Sequence, residues 1–442
     1  MTDGVGLMPV LDRPDPPGAH EADPDGGGLP SPAMEMHSVE QWARGAIAPL
    51  FERGAAGPAR VGVEVEWIPV DARTGLAVPI GTGDPADGVR AGSLALLRAA
   101  GRAAGWAEHP SPSGAPIFRM AGGGAISYEP GGQIELSAPA GSVPESLAAV
   151  AAVHALLDAA ALAQGVVLLS CGIDPLTPLD AVPLQLTGER YRRMDRYLGA
   201  IGPAGLRMMR QTASLQVNID PSGNPPTTWR MLNAVAPVLT ALFANSPVYG
   251  GVETGHRSYR AHGWRTLDPA RTGLFAGDDP AGEYARFALD APFLLATDDA
   301  GPLPMRSHLA TGEAGAAEWT AHLTTLFPEI RPRGWFEVRS IDAQPVAELA
   351  APLVFLAGLT GDSAALAAAS DLLGRPDPAL LVQAGVAGLG HPPLLRQARE
   401  LTSIAADGFA RMITAGAPLA GAGTAAESAL EAASRTFRRL VG

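Results

Sequence analysis

The chain has 442 residues, 47% of them hydrophobic, and a formal net charge of −13 with a pI near 5.2. That length and apolar content allow one large domain or two ordinary ones, and the acidic balance argues against a general nucleic-acid or anionic-membrane binder and for a small substrate. The single cysteine, Cys171, excludes an intrachain disulfide, and all 32 basic residues are arginine, which excludes a pyridoxal Schiff base, a Walker A loop and lysine-dependent kinase or adenylation sites.

Residues 1–36 are rich in Pro, Gly and Asp and poor in large apolar side chains, the composition of a disordered leader. They lack the basic start and apolar run of a signal peptide, so the sequence predicts a cytoplasmic protein with one catalytic domain over 37–442. Order is expected to begin at "HSVEQWARGAIAPLF", where Ser38 and Gln41 have capping-box spacing and Pro49 lies near the helix end. The strand "VGVEVEW" (61–67) follows, then "GSLALLRAAGRAAGW" and "VPESLAAVAAVHALLDAAALAQ" as helices and "VVLLSCGID" as a buried strand holding Cys171 as core packing. The apolar stretch from Ser146 to Ile173 is interrupted by His154, Asp158 and Gln164, which predicts a helix and a strand and no membrane span. "TTWRMLNAVAPVLTALFAN" reads as another helix, and the chain after Val346 as alanine- and leucine-rich helices. This mixture predicts an α+β fold with no regular βαβ alternation.

Four of the predicted strands share one pattern. In "VGVEVEW" the valines point one way and Glu64 and Glu66 the other. In "GGQIELSAP" Ile134 and Leu136 oppose Gln133, Glu135 and Ser137, and in "SLQVNID" Leu215, Val217 and Ile219 oppose Ser214, Gln216, Asn218 and Asp220. In "WFEVRSID" Phe336 and Val338 oppose Trp335, Glu337 and Arg339. An ordinary sheet with one wetted face accounts for any one of these. It accounts poorly for a polar set dominated by Glu, Gln and Asn and flanked by glycine turns such as "EPGGQ". Carboxylates about 7 Å apart on one strand repel unless a cation lies between them, and a face lined by several glutamates suits Mg²⁺ or Mn²⁺.

Arginines gather in "GHRSYRAHGWRTLDPARTG", at Arg257, Arg260, Arg265 and Arg271, read as a loop beside the sheet that can meet polyphosphate or an anionic substrate. His256, His262 and His322 read as hydrogen-bonded loop or surface residues, not ligands. With no lysine, any phosphate chemistry draws its positive charge from arginine and metal ions.

Five stretches, "VGVEVEW", "SYEPGGQIELSAP", "MMRQTASLQVNID", "SYRAHGWRTLDPARTG" and "HLTTLFPEIRPRGWFEVRSIDAQP", occur in the order and rough spacing of glutamate–cysteine ligases of the plant and proteobacterial type. The chain resembles in particular the actinobacterial relatives that make γ-glutamylcysteine for ergothioneine, and the resemblance runs over roughly residues 38 to 360. It implies a glutamine-synthetase-like fold: a curved, mainly antiparallel sheet whose polar face binds ATP, glutamate and Mg²⁺, flanked by helices and a helical C-terminal region. By the same resemblance Glu64, Glu66, Glu135, Glu337 and, more weakly matched, Glu129 are expected metal ligands. Arg210, Gln216 and Asn218 are expected to line the glutamate and nucleotide region. Arg260, Arg265 and Arg339 are candidates for substrate carboxylate or phosphate, with Arg260 and Arg339 expected to act in catalysis. The implied reaction joins the γ-carboxylate of glutamate to the amine of cysteine at the expense of ATP, through a γ-glutamyl phosphate. Two other readings stay open at this point: a ligase of the same fold with another amine acceptor, and a non-catalytic metal- or nucleotide-binding homologue.

Overall fold

The computed structural model describes residues 36–52, 58–81, 92–221, 223–295 and 302–442. The expected leader therefore lies outside the described residues apart from Met36, which opens helix α1 (Met36–Ile47). Ser38 is thus inside the first turn and does not cap it. Strand β1 (Val61–Asp71) and α2 (Ser93–Ala104) lead to a meander of β2 (Ala107–His109), β3 (Ile117–Arg119), β4 (Ala125–Tyr128) and β5 (Ile134–Ser137). Next come α3 (Val143–Ala163), β6 (Val166–Leu169), α4 (Glu189–Ile201), α5 (Pro203–Gln211), β7 (Ser214–Ile219) and α6 (Pro225–Leu242). A small hairpin, β8 (Val248–Tyr249) and β9 (Val252–Glu253), precedes α7 (Tyr259–Leu267), α8 (Pro280–Asp290), α9 (Met305–Thr311) and α10 (Ala316–Leu323). Strands β10 (Ile330–Pro332) and β11 (Phe336–Asp342) complete the sheet. The tail is α11 (Ala350–Gly361), α12 (Ser363–Leu373), α13 (Pro378–Ala387), α14 (Pro392–Thr414) and α15 (Gly423–Val441).

The main sheet runs β10-β11-β7-β1-β5-β4-β3-β2, with β6 paired to the second half of β1, and its ladders are antiparallel. The α+β class is as the sequence predicts, and the mainly antiparallel sheet is as the family resemblance implies. β1 is the keystone: Val61–Val65 pair with β7, Glu64–Trp67 with β5, and Ile68–Asp71 with β6. Its alternation puts Val63, Val65 and Trp67 into the core, where Trp229 of α6 packs against Phe51, Phe275 and Phe336. Burying side chains of this size contributes roughly 1.5–3 kcal/mol each, which fixes which face of every strand turns inward.

Helix α3 starts with a full capping box, Ser142 accepting from the Glu145 amide and Glu145 accepting from the Ser142 amide, an arrangement that contributes about 1 kcal/mol. It is long and apolar enough to cross a membrane by length and composition. Here it lies along the sheet with Val150, Val153, Leu157 and Ala161 buried and His154 against Trp67. Cys171 lies just past the end of β6, half-buried, and not within a strand. Its thiol donates to the Ile173 carbonyl at 3.2 Å.

Candidate active site

Register assembles the polar face. One cross-strand row is Ser127–Glu135–Glu66, the next is Ser137–Glu64–Gln216, and the third is Asn218–Glu337–Arg331. Four sequence segments that are far apart thereby bring Glu64, Glu66, Glu135, Gln216, Asn218, Glu337 and Arg339 onto one surface. This face is not wetted as a plain outer face would be, since Glu66, Glu135, Gln216, Asn218 and Glu337 are all buried. Glu64 and Glu129 are half-buried.

Glu129 reaches the group from a tight turn. Its amide donates to the Gln133 carbonyl and its carbonyl accepts from Gly132, while Gly132 holds φ +93°. A Cβ on Gly131 would fall 1.9 Å from the Arg210 carbonyl oxygen, so only glycine lets the turn rest on the end of α5. Gln133 ties the turn down, accepting from the Gly131 amide and donating to the Thr212 carbonyl.

The face has two electrostatic poles. On the acidic side, Glu66 accepts from the Ser214 amide and hydroxyl at 2.8 Å and from Gln216 at 3.2 Å. Glu64 accepts from Asn218 at 3.1 Å and Glu135 from Ser127 at 3.1 Å. These are neutral donors. Burial therefore pushes the Glu135 carboxyl well above its ordinary range, reinforced by Glu129, Glu64 and Glu66. Burial and then Glu66 push Glu129 up to about 8, against the pull of Arg190 and Arg339. Glu64 and Glu66 are raised too, chiefly by burial. Two carboxylates at directly opposed strand positions, about 5 Å apart, repel by roughly 3 kcal/mol at an effective dielectric near 20.

The cationic side is built by the β10–β11 hairpin. Arg331 grips Glu337 with two bonds at 2.6 and 2.7 Å, Arg339 donates to it at 2.6 Å, and Arg333 lies 3.8 Å away. Burial alone would raise the Glu337 carboxyl, but Arg331, Arg339 and Arg333 together bring it down to about 2. Arg339 also donates to Gln216 at 2.7 Å, linking the poles, and Trp335 donates to Asn218 at 3.0 Å.

Arg260 and Arg265, expected on a loop, are on helix α7. Ser258 caps that helix by accepting from the Ala261 amide, so the stretch is ordered by a cap that the arginine spacing did not reveal. Arg260 is buried, stacks on Trp264 at 4.4 Å and donates to the Arg339 carbonyl at 2.9 Å, and its Nε has no protein partner among the described residues. A narrow cleft runs beside it between α5 and α7, lined by Arg207, Thr212, Tyr259, His262 and Trp264. Arg265 pairs with Glu329, and Arg210 is held by Asp195 and the Val182 carbonyl. Both are therefore occupied by protein carboxylates in this structure. Arg271 is fully buried on Asp268 and Thr325 and supports the fold. His322 is buried with its Nε2 at 2.8 Å from the Ala288 carbonyl and is not at the surface.

Sequence reasoning missed Arg331, Arg333 and Arg190 as members of the site. The first two were legible: in "IRPRGWFEVR" the arginines alternate up to Gly334, whose φ of +75° turns them back onto Glu337. Arg190, on α4, had no such signal. It bonds the Thr324 carbonyl and reaches the field of Glu129.

Among the described residues no three His, Cys, Asp or Glu side chains converge into a ready-made metal cage. The donor set nevertheless fits a hard divalent cation. Glu64, Glu66, Glu129 and Glu135 offer only carboxylate oxygens, and none forms an ion pair among the described residues.

A family model described as glutamate-cysteine ligase family 2 matches residues 60–438. The chain is 39% identical to a glutamate–cysteine ligase EgtA of Mycolicibacterium smegmatis over 280 residues, covering 58% of this chain and 64% of that protein. It is 34% identical to the EgtA of Mycobacterium tuberculosis over 312 residues, covering 65% and 71%. A chloroplastic glutamate–cysteine ligase of Arabidopsis thaliana is 35% identical over 314 residues, covering 65% and 60%. The matched stretch thus spans about two thirds of the length of these relatives.

Proposed function

Because the chain belongs to glutamate-cysteine ligase family 2, we propose that it joins the γ-carboxylate of L-glutamate to the amine of L-cysteine with hydrolysis of ATP to ADP and phosphate. The observation that carries this reading is the division of one buried face into an acidic pole, whose carboxylates form no ion pair among the described residues, and an arginine pole bridged to it by Gln216 and Arg339. A carboxylate does not acylate an amine at neutral pH because oxide is a poor leaving group. One oxygen of the glutamate γ-carboxylate attacks the γ-phosphorus of ATP, ADP departs, and a γ-glutamyl phosphate results. The cysteine amine then attacks the acyl carbon, losing a proton as phosphate leaves.

Glu64, Glu66, Glu135 and Glu129 are the residues we assign to Mg²⁺, which when bound shields the repulsion between carboxylate and triphosphate. Glu337 carries cationic partners, so its assignment as a ligand requires that Arg331 or Arg339 give way. We assign Arg260 to the substrate carboxylate and Arg339 to the transferring phosphoryl group, a reading supported by the Nε of each, which has no partner among the described residues. Gln216 and Asn218 orient the acidic pole through Glu66 and Glu64. Neither a lysine nor a covalent bond between enzyme and substrate is needed, and this chain has no lysine. The similarity to the mycobacterial enzymes supports supply of the dipeptide to ergothioneine synthesis.

The test is phosphate release by the purified protein with ATP and Mg²⁺, adding glutamate and cysteine separately and then together while reading product mass. Release that requires both, with the mass of γ-glutamylcysteine, is expected. Stimulation by another amine instead of cysteine would redirect the acceptor assignment, and silence with every amine would end the ligase reading.

A further inference from the structure

Asp342, the last residue of β11, is 1% exposed and forms no part of the two poles. Its Oδ2 accepts from the Asn245 amide at 2.8 Å and the Ser246 hydroxyl at 2.7 Å. Its Oδ1 accepts from the Ser258 hydroxyl at 2.9 Å and lies 3.7 Å from Nη1 of Arg260. Both hydroxyls are themselves acceptors for the start of α7: Ser246 from the Arg260 amide at 3.2 Å, and Ser258 from the Ala261 amide at 3.0 Å. The chain at Gly172 packs so closely that a Cβ there would sit 2.4 Å from the Asp342 carboxyl carbon. One carboxylate therefore joins the end of β11, the α6–β8 link, the 171–173 segment and the first turn of α7.

We propose that Asp342 is a positioning residue: through Ser246 and Ser258 it fixes the first turn of α7 so that Arg260 enters the cleft in one orientation. A buried carboxylate that accepts from three groups and faces a guanidinium is far more directional than packing alone. Arg260 is tied at its backbone amide, which donates to Ser246, and at its guanidinium, held by Asp342 and the Arg339 carbonyl. Little rotational freedom is then left to lose when an anion arrives. The inference rests on the reading of Arg260 as a substrate-holding group.

Asp342→Asn replaces one acceptor oxygen with an amide donor and removes the charge. It is expected to raise the glutamate KM about tenfold while the ATP KM and kcat stay within about threefold, the signature of lost substrate positioning. Hydrogen exchange followed by mass spectrometry should show faster exchange over 258–264 and none over 61–67. Ser246→Ala, which leaves Asp342 its other donors, should shift both readouts the same way by about threefold and decides the matter if Asp342→Asn does not fold. Unchanged exchange over 258–264 in the folded variant overturns the proposal. So does an equal loss across both KM values and kcat, which marks a merely structural role. Absence of turnover in the unaltered protein defeats the ligase reading instead, and exchange alone then decides whether Asp342 holds the helix.

Discussion

Glu66 and Glu135 stand directly opposite each other across the β1–β5 ladder, and neither forms an ion pair among the described residues. Glu337, two strands from Glu66 on the same face, is gripped by Arg331 and Arg339. Identical side chains on one surface thus have opposite energetic standing, and substitution separates them.

Glu135→Gln removes a buried carboxyl whose ionisation burial and the neighbouring Glu129, Glu64 and Glu66 oppose, and keeps the contact with Ser127. Unfolding free energy at neutral pH is expected to stay level or rise by about 1 kcal/mol, while ATP turnover falls by at least about a hundredfold. Denaturant titration and phosphate release on the same preparation check both. Retained turnover would remove Glu135 from the metal set.

Glu337→Ala has the opposite expected outcome. It leaves Arg331 and Arg339 buried without their counter-ion, a loss of about 3–5 kcal/mol. Double substitution of Glu337 and Arg331 should recover part of this, and a double-mutant cycle in urea measures the coupling.

Divalent metal should stabilise the folded chain. Mg²⁺ at about a hundred times its dissociation constant adds roughly 2.7 kcal/mol, read as a rise in melting temperature that a chelator reverses. The rise should shrink in Glu66→Gln. An equal rise in both proteins would show that the ion binds elsewhere.

Acid should act through His322. Burial pushes its imidazole down to about 3, with Arg271 adding to the effect and the bond to Ala288 opposing it. The unfolded chain takes up this proton near its ordinary value of about 6.5, whereas the folded chain holds off until about 3, so stability falls as pH drops through that window, by at most roughly 1.4 kcal/mol per unit. His322→Gln should flatten the fall relative to the unaltered protein between about pH 6 and pH 4. Parallel curves would exclude His322 as the cause.

Cys171 is expected to be inert. Burial, with Asp174 and Asp342 nearby, pushes its thiol up to about 12, which lowers the thiolate fraction by on the order of a thousandfold relative to a free cysteine. Alkylation in the folded state should be correspondingly slow, and Cys171→Ala should retain turnover with or without reductant.

The strand pattern made much of this legible. Alternation in "VGVEVEW", "IELS", "SLQVNI" and "FEVR" depends on a period of two and survives any tertiary context, so Glu64, Glu66, Glu135, Gln216, Asn218 and Glu337 could be placed on one face from sequence. Roles depend on partners, and partners depend on register and helix docking. Nothing local tells Glu337, with three guanidiniums about it, from Glu64, with an amide. Arg210 and Arg265 are matched by Asp195 and Glu329, pairings that arise only once α4, α5, α7 and the approach to β10 are packed. The cap at Ser258 was written in the sequence but was outweighed by the arginine count around it.

Strand β1 is hydrogen-bonded along both sides, and this confers a safeguard against misassembly. A slip of one residue relative to β5 and β7 would exchange the two faces, sending Glu64 and Glu66 into the layer occupied by Trp229 and Phe336 and turning Val63 and Val65 toward the arginines. No partial slip is tolerated, because β1 would have to shift against three partner strands at once. The charge crowding that makes the acidic pole costly is therefore also the reason that the sheet has one admissible alignment.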